Sequence, residues 1–349
     1  MHQYLFGYEL PDTIILLTEN GTCYILATKK KCEFLEPAVK YQPLPEGITG
    51  LKLLQKSKVG NGDEENFKVL LKAAGSGNVK MGLLLRESYY MKKDDASDIA
   101  EKKHFVAYAW EKAIDKTGKI EFVDVSAGLS LAMAPKDEEE LDLLKKSSVL
   151  TNKVLKHGFI PKIEEVIDQE IKITHEQLAS DMDAIIEDPS KINLKVPKID
   201  VESCYFPIIQ SGGNLDIKVS AQSSLDHISY DIITVSLGAR YKNYCSNVAR
   251  TFLIDPPKLV SDTYESLVAL QNVCIEAFVP GRPLKTVYAA AVDYLVSSGK
   301  EPLVAHLPKN LGFAIGLDFR DPHLIISAKN PAIIRPGMVF NLLIGFCEW

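Results

Sequence analysis

The apolar positions of this chain follow two regimes, which meet near residue 128. In the first, short β-branched runs alternate with helix-period segments. TIILLTENGTCYILAT, residues 13–28, holds two such runs around Asn20-Gly21, a dipeptide that suits the left-handed turn of a hairpin. VKMGLLL (79–85) and KIEFVDV (119–125) read as strands, with HFVAYAWEKAI (104–114) between them as a helix. GNGDEEN (60–66) has no period and reads as a loop. Strands alternating with helices predict a mixed α/β lobe over 1–128.

The second regime opens with helices. Pro135 and the acids Asp137 to Glu140 mark a helix start, because carboxylates complement the partial positive charge of a helix N-terminus. LDLLKKSSVLTNKVL continues with apolar residues three and four apart, and Gly158 and Pro161 predict its end. IEEVIDQEI predicts the next helix. Thr174, with Gln177 three residues on, predicts a capping box for a third. From Ser203 the pattern turns to strands: YFPIIQSGGN, then a long hairpin across DIITVSLGARYKNYCSNVARTFLID. Two helices follow, TYESLVALQNVCIEAF and LKTVYAAAVDYLVSSG, and then the strand pieces GFAIGLDF, HLIISA and GMVFNLLIGF. An α+β lobe over 129–349 is expected, and with the first lobe it gives a two-lobed α/β protein.

Composition narrows the function. A net charge of -6 with 46% hydrophobic residues is ordinary for a folded chain and gives no basic face for nucleic acid. No apolar run reaches the length of a membrane span, and MHQYLFGYEL has no secretory pattern. Cys23, Cys32, Cys204, Cys245, Cys274 and Cys347 form no CxxC pair and read as reduced core thiols of a cytosolic or nuclear protein. His227, His306 and His323 stand apart, without metal-ligand spacing. Ser211 precedes two glycines but lacks the glycine two residues before it that a nucleophile elbow requires. The QSGGN glycines suit either a tight turn at a cleft rim or an anion-binding set of N–H groups, with the turn favoured. Lys242 reads as hairpin-tip solubility, and Arg250 as half of an internal salt bridge.

The landmarks of the second lobe resemble the pita-bread fold of the creatinase, prolidase and aminopeptidase family. IKITHEQLA opens a helix, and the IxxSGGN loop, the YKxYxSxxxRTF hairpin, GLDxxDP and PGMVF follow in the family's order. The resemblance implies two aspartates in the hairpin, a histidine before GLD and a glutamate after PGMVF, all binding a metal pair. Here those positions hold Ser236, Asn247, Phe313 and Leu343. With a hairpin tip at Tyr241-Lys242, Ser236 would lie opposite Asn247. Two assisting histidines fall near Val219 and at Arg320, and the last ligand would lie beyond Trp349, so the lobe is expected to be incomplete at its C-terminal end. A metal pair brings about +4 of charge and needs several carboxylates. Serine and asparagine are weak neutral ligands, and phenylalanine and leucine are none.

Segments CYFPIIQSGGN, SLGARYKNYCSNVARTFLIDP, KNLGFAIGLDFR, AKNP and RPGMVFNLLIGF are similar to the N-terminal domain of the large subunit of FACT-type histone chaperones. LFGYELPDTIILLT with ATKKKCEFLE resembles the first hairpin of that family. The resemblance implies a nuclear, chromatin-associated, non-catalytic module that needs no cofactor or metal. It would bind core histones or histone peptides during nucleosome reorganisation in transcription, replication and repair. An HMG-box subunit is the implied partner, through regions outside this chain, and neither membrane nor sequence-specific DNA binding is expected. Candidate peptide contacts are Gln210, Ser211, Gly212, Gly213 and Asn214 in the loop, and Arg320 in the cleft. The alternatives are an active X-Pro metallo-aminopeptidase and a truncated paralogue without independent function.

Overall fold

Asn20-Gly21 closes a hairpin. In the computed structural model, which describes residues 2–41, 47–57, 62–84, 105–213 and 215–347, β1 (Ile14–Leu17) pairs antiparallel with β2 (Thr22–Ala27). Gly21 takes φ +80°, and a Cβ there would lie 2.3 Å from the Gly47 carbonyl oxygen, so the turn admits no side chain. Gly60, Asn61, Leu85, His104 and Asn214, which carry parts of the sequence reading, lie outside the described residues.

Helix α1 (Lys29–Lys40) returns the chain so that β3 (Gly50–Gln55) runs parallel to β2. Residues of β2 alternate between two cores. Cys23, Ile25 and Ala27 pack with Leu10 and Leu35. Leu26 joins Ile14, with Phe67 and Leu70 of α2 (Glu64–Ala74) and Trp110 and Ile114 of α3 (Val106–Asp115). β4 (Val79–Leu83) and β5 (Ile120–Asp124) pair in parallel. The chain divides into compact units, Met1–Leu129 and Ser130–Trp349.

In the second unit, α4 (Glu138–Val154) starts at a closed capping box. The Glu140 N–H donates to Asp137 Oδ1 at 2.8 Å, and the Asp137 N–H to Glu140 Oε2 at 3.1 Å. The predicted stop at Gly158 and Pro161 does not occur. Leu155–Phe159 form a π-helical turn and α5 (Ile160–Asp168) continues from it. Pro161 has no N–H to return to His157, and a widened turn absorbs that loss without ending the helix. Helix α6 (His175–Glu187) carries the expected box, with the Gln177 N–H on Thr174 Oγ1 at 3.1 Å and the Thr174 N–H on Gln177 Oε1 at 3.0 Å. These helices bury Leu150, Val154, Phe159, Val166, Leu178 and Met182 against Val235, Leu237, Ala239 and Val248 of the sheet.

That sheet centres on the hairpin of β8 (Ile232–Tyr241) and β9 (Tyr244–Leu253). Two short strands, β6 (Val201–Ser203) and β7 (Ile208–Gln210), follow one another along the other edge of β8. The hairpin tip is Lys242-Asn243, both at positive φ (+47° and +70°). This corrects the expected tip by one residue. A two-residue loop of this type needs positive φ at both positions, which asparagine tolerates far better than tyrosine. Ser236 therefore faces Ala249, and Asn247 faces Gly238.

A second core forms between α7 (Lys258–Glu276) and α8 (Lys285–Ser297), where Leu270, Cys274, Val287, Ala291 and Leu295 meet Leu324, Ile326 and Ile334. Beside it β10 (Gly312–Ala314) pairs antiparallel with β11 (Phe340–Leu342). Among the described residues, no helix is long and apolar enough to cross a membrane.

Candidate functional site

Ser236 and Asn247 share the face of the hairpin that looks away from the helices, placed diagonally rather than opposite. Their side-chain oxygens lie 3.5 Å apart. What joins them is a residue that the sequence reading did not single out. The Tyr205 hydroxyl is 2.7 Å from Ser236 Oγ and donates to Asn247 Oδ1. Asn247 in turn donates from Nδ2 to Asn341 Oδ1 at 3.3 Å.

Tyr205 reaches this position because the strand edge is broken. Ser203 pairs with Ala239 and Ile208 with Ser236. Four residues, 204–207, thus span a stretch where β8 has only two, 237 and 238. The two extra residues form a bulge that re-aims the side chain. Gly238 clears the path: a Cβ there would lie 2.6 Å from Tyr205 Cε1 and 3.1 Å from Cys204 Cβ. Burial pushes the Tyr205 phenol well above its ordinary range, so the group at the centre of the pocket is a neutral hydroxyl.

An aromatic wall completes the plug. The Tyr205 ring lies 5.0 Å from Phe319, which meets Phe313 edge-on at 5.4 Å, and the Arg320 guanidinium stands 5.6 Å above Phe313. Phe313 is buried and pairs across β10–β11 with Asn341, whose Nδ2 is buried without a hydrogen-bond partner among the described residues. Leu343 contributes less than the sequence suggests. It lies one residue past β11, half-buried, its N–H on the Leu311 carbonyl at 2.9 Å. The contacts around Ser236 and Asn247 come from Tyr205 and Asn341, with Phe313 alongside.

The residues do not fit a metal pair. Two hydroxyls, two amides and an aromatic ring supply no carboxylate or imidazole, and charge on a divalent ion pair would go uncompensated. Among the described residues, no three His, Cys, Asp or Glu side chains gather into a metal-holding group. His227 is exposed, and His306 donates from Nδ1 to the Cys347 carbonyl at 2.9 Å. Burial raises the thiols of Cys23 and Cys274 to about 11, as inert core thiols require.

The loop candidates sit further along the sheet. Ser211 follows β7 three residues past the partner of Ser236, about 10 Å along the strand. Gln210 Oε1 accepts the Asp216 N–H at 2.9 Å, and Gly212 and Gly213 turn at φ +75° and +81°. The Gly212 N–H faces Asp231 Oδ1 at 3.3 Å, so an internal carboxylate already takes the donor that an anion would use. Asn214 is outside the described residues. Arg320 is exposed, while Arg250, expected in a salt bridge, is also exposed and donates to the neighbouring Ala249 carbonyl at 2.7 Å. His175, passed over in the sequence, lies buried behind the loop and bonds Ser211.

The hairpin sheet with its flanking helices defines the class: residues 142–349 match the model of metallopeptidase family M24. A dipeptidase structure from Pyrococcus horikoshii superposes with TM-score 0.70 at 20% identity, covering 99% of this chain and 83% of that one, which shows the shared fold. Residues 1–128 match the FACT complex subunit SPT16 N-terminal lobe domain. The N-terminal domain of SPT16 from Cicer arietinum superposes with TM-score 0.85 at 34% identity, covering 99% of this chain and 79% of that one. The chain belongs to the family of FACT complex subunit SPT16 N-terminal domains. SPT16 of Dictyostelium discoideum is 34% identical over 350 residues, covering 99% of this chain but 31% of the relative, so the chain spans about a third of the length of the curated relatives it matches.

Proposed function

We propose that this chain is a non-catalytic peptide-binding module that acts on core histones or their tails as part of a FACT-type histone chaperone. The observation that carries the reading is the Tyr205 hydroxyl seated between Ser236 and Asn247, where a hydrolase of this fold would need charged ligands. On this reading the hydrolytic chemistry is absent, and strand pairing and apolar contact with an extended peptide are what the module would use. A net charge of -6 suits basic partners. Arg320 supplies an exposed cation on an aromatic base for an acidic or carbonyl group of the peptide. In the whole protein the module would work in the nucleus, on chromatin, reorganising nucleosomes in transcription, replication and repair. An HMG-box subunit would be a partner of the full complex through regions outside this chain.

The test is titration with core histones across a salt series centred on about 0.15 M, with Arg320→Ala alongside. Saturable binding, weakened by the substitution, is the expected result. Absence of binding above background, or stoichiometric uptake of Mn, Co or Zn with release of residues preceding proline, would overturn the reading.

A further inference from the structure

Behind the loop at 210–213 runs a buried hydrogen-bond chain separate from the plugged pocket. His175 and Ser211 are 3% and 7% exposed. His175 Nε2 lies 2.8 Å from Ser211 Oγ, and Nδ1 lies 3.2 Å from Ser224 Oγ. Ser224 Oγ donates to Asp226 Oδ2 at 3.0 Å, and the Ser229 N–H donates to Ser211 Oγ at 2.8 Å.

These partners fix every proton. A carboxylate only accepts, so Ser224 directs its single hydroxyl proton to Asp226. Nδ1 must then carry the proton it offers to Ser224, which leaves Nε2 bare to accept from Ser211. Ser211 Oγ keeps a lone pair for the Ser229 N–H. The chain runs in one direction, from the loop through the ring to Asp226 at the surface.

We propose that His175, as the Nδ1–H tautomer, is the positioning residue of the loop at 210–213, and that protonating its ring frees the loop and weakens peptide capture there. The capture half rests on the peptide-binding reading above. An imidazolium aims Nε2–H at Ser211, whose own proton then loses its acceptor inside the protein. Among the described residues, the loop is then held by the 3.3 Å contact of Gly212 with Asp231 and by the Asp216 N–H on Gln210 Oε1, and two successive glycines at positive φ offer little resistance to movement. Burial depresses the ring pKa, opposed by a hydrogen bond to the Asp226 backbone and by the charge of the Asp226 carboxylate. The charged and titratable neighbours are Glu176 on α6, and Asp226, His227 and Asp231 on the segment leading to β8.

Three readouts on the full chain test this at about pH 7.5 and about pH 5.5. Long-range proton–nitrogen spectra report which ring nitrogen is protonated. Amide exchange at Ser229, corrected for intrinsic rate and referenced to Val235 in β8, reports the loop. Titration with a histone-tail peptide reports capture. Expected are a protonated Nδ1 with bare Nε2 at the higher pH, and exchange at Ser229 faster by about tenfold or more at the lower. Peptide affinity should fall in parallel. Ser211→Ala should exchange fast at both values, with Val235 unchanged, and His227→Gln should behave as wild type. An Nε2–H tautomer, or loop exchange indifferent to pH, overturns the proposal. If the tautomer and exchange behave as stated but the wild type captures no peptide at either pH, the capture half falls together with the peptide-binding reading, and the positioning role stands.

Discussion

Removing one oxygen tests whether the plug holds the hairpin. Tyr205→Phe keeps the ring against Phe319 and deletes the hydroxyl shared by Ser236 and Asn247. Two hydrogen bonds at about 1 kcal/mol each, plus an Asn247 carbonyl left short of a donor, give an expected loss of about 2–3 kcal/mol. Asn247→Ala should cost about 2 kcal/mol, through that bond and the one to Asn341. Because the substitutions share a bond, the double variant should lose less than their sum by about 1 kcal/mol or more. Exchange of the core amides of β8 and β9 is the suitable assay, since it reads the second unit without mixing in the opening of the first. Additivity within about 0.5 kcal/mol, or a loss for Tyr205→Phe below that figure, would refute the structural role given to the hydroxyl.

Gly238→Ala should destabilise the same unit by about 1–3 kcal/mol, since its methyl would meet Tyr205 Cε1 at 2.6 Å, and Tyr205→Ala should relieve part of that loss. Thr174→Ala removes a helix cap and should cost about 1 kcal/mol by urea denaturation. His175 has a folded-state pKa below its ordinary 6.5, so the unfolded chain takes up the proton first as pH falls. Stability from this group is therefore complete above about 6.5 and lost as pH drops through the folded value; the urea midpoint should fall with it, and less so in His175→Gln. Arg320→Ala should leave thermal stability within about 0.5 kcal/mol of wild type, because the side chain is exposed, while reducing histone affinity.

Much of the scaffold was legible because it depends on local chemistry. The Asn20-Gly21 turn and the Thr174 box each require particular residue types at fixed spacing, and both formed. What Ser236, Asn247, Phe313 and Leu343 can ligate is open to reading, since side-chain identity decides ligation. What fills the space beside Ser236 and Asn247 is not. Tyr205 enters through a bulge whose existence depends on how β6 and β7 each pair with β8, and pairing offset has no local signature. Cys204-Tyr205-Phe206, five residues ahead of the SGGN loop, was the available clue. The hairpin register differs by one residue from a tip at Tyr241-Lys242, because positive φ at both tip positions selects Lys242-Asn243. Pro161 reads as a stop because sequence does not show that a wider turn can absorb it. His175 gave no signal: a single histidine after a threonine cap reveals nothing of two serines that approach it from 36 and 49 residues away.

The bulge also bears on how the sheet tolerates a change in chain length. Strand residues alternate faces with a period of two, so a one-residue slip of β7 against β8 would turn it over and send Ile209 out of the core. Two extra residues preserve parity: Val201, Ser203 and Ile209 all keep the helix-facing side, with Ile209 still paired to Val235. A stretch of two codons is thus a separable unit. It can be gained or lost without re-registering a strand on either side, provided that position 238 stays a glycine.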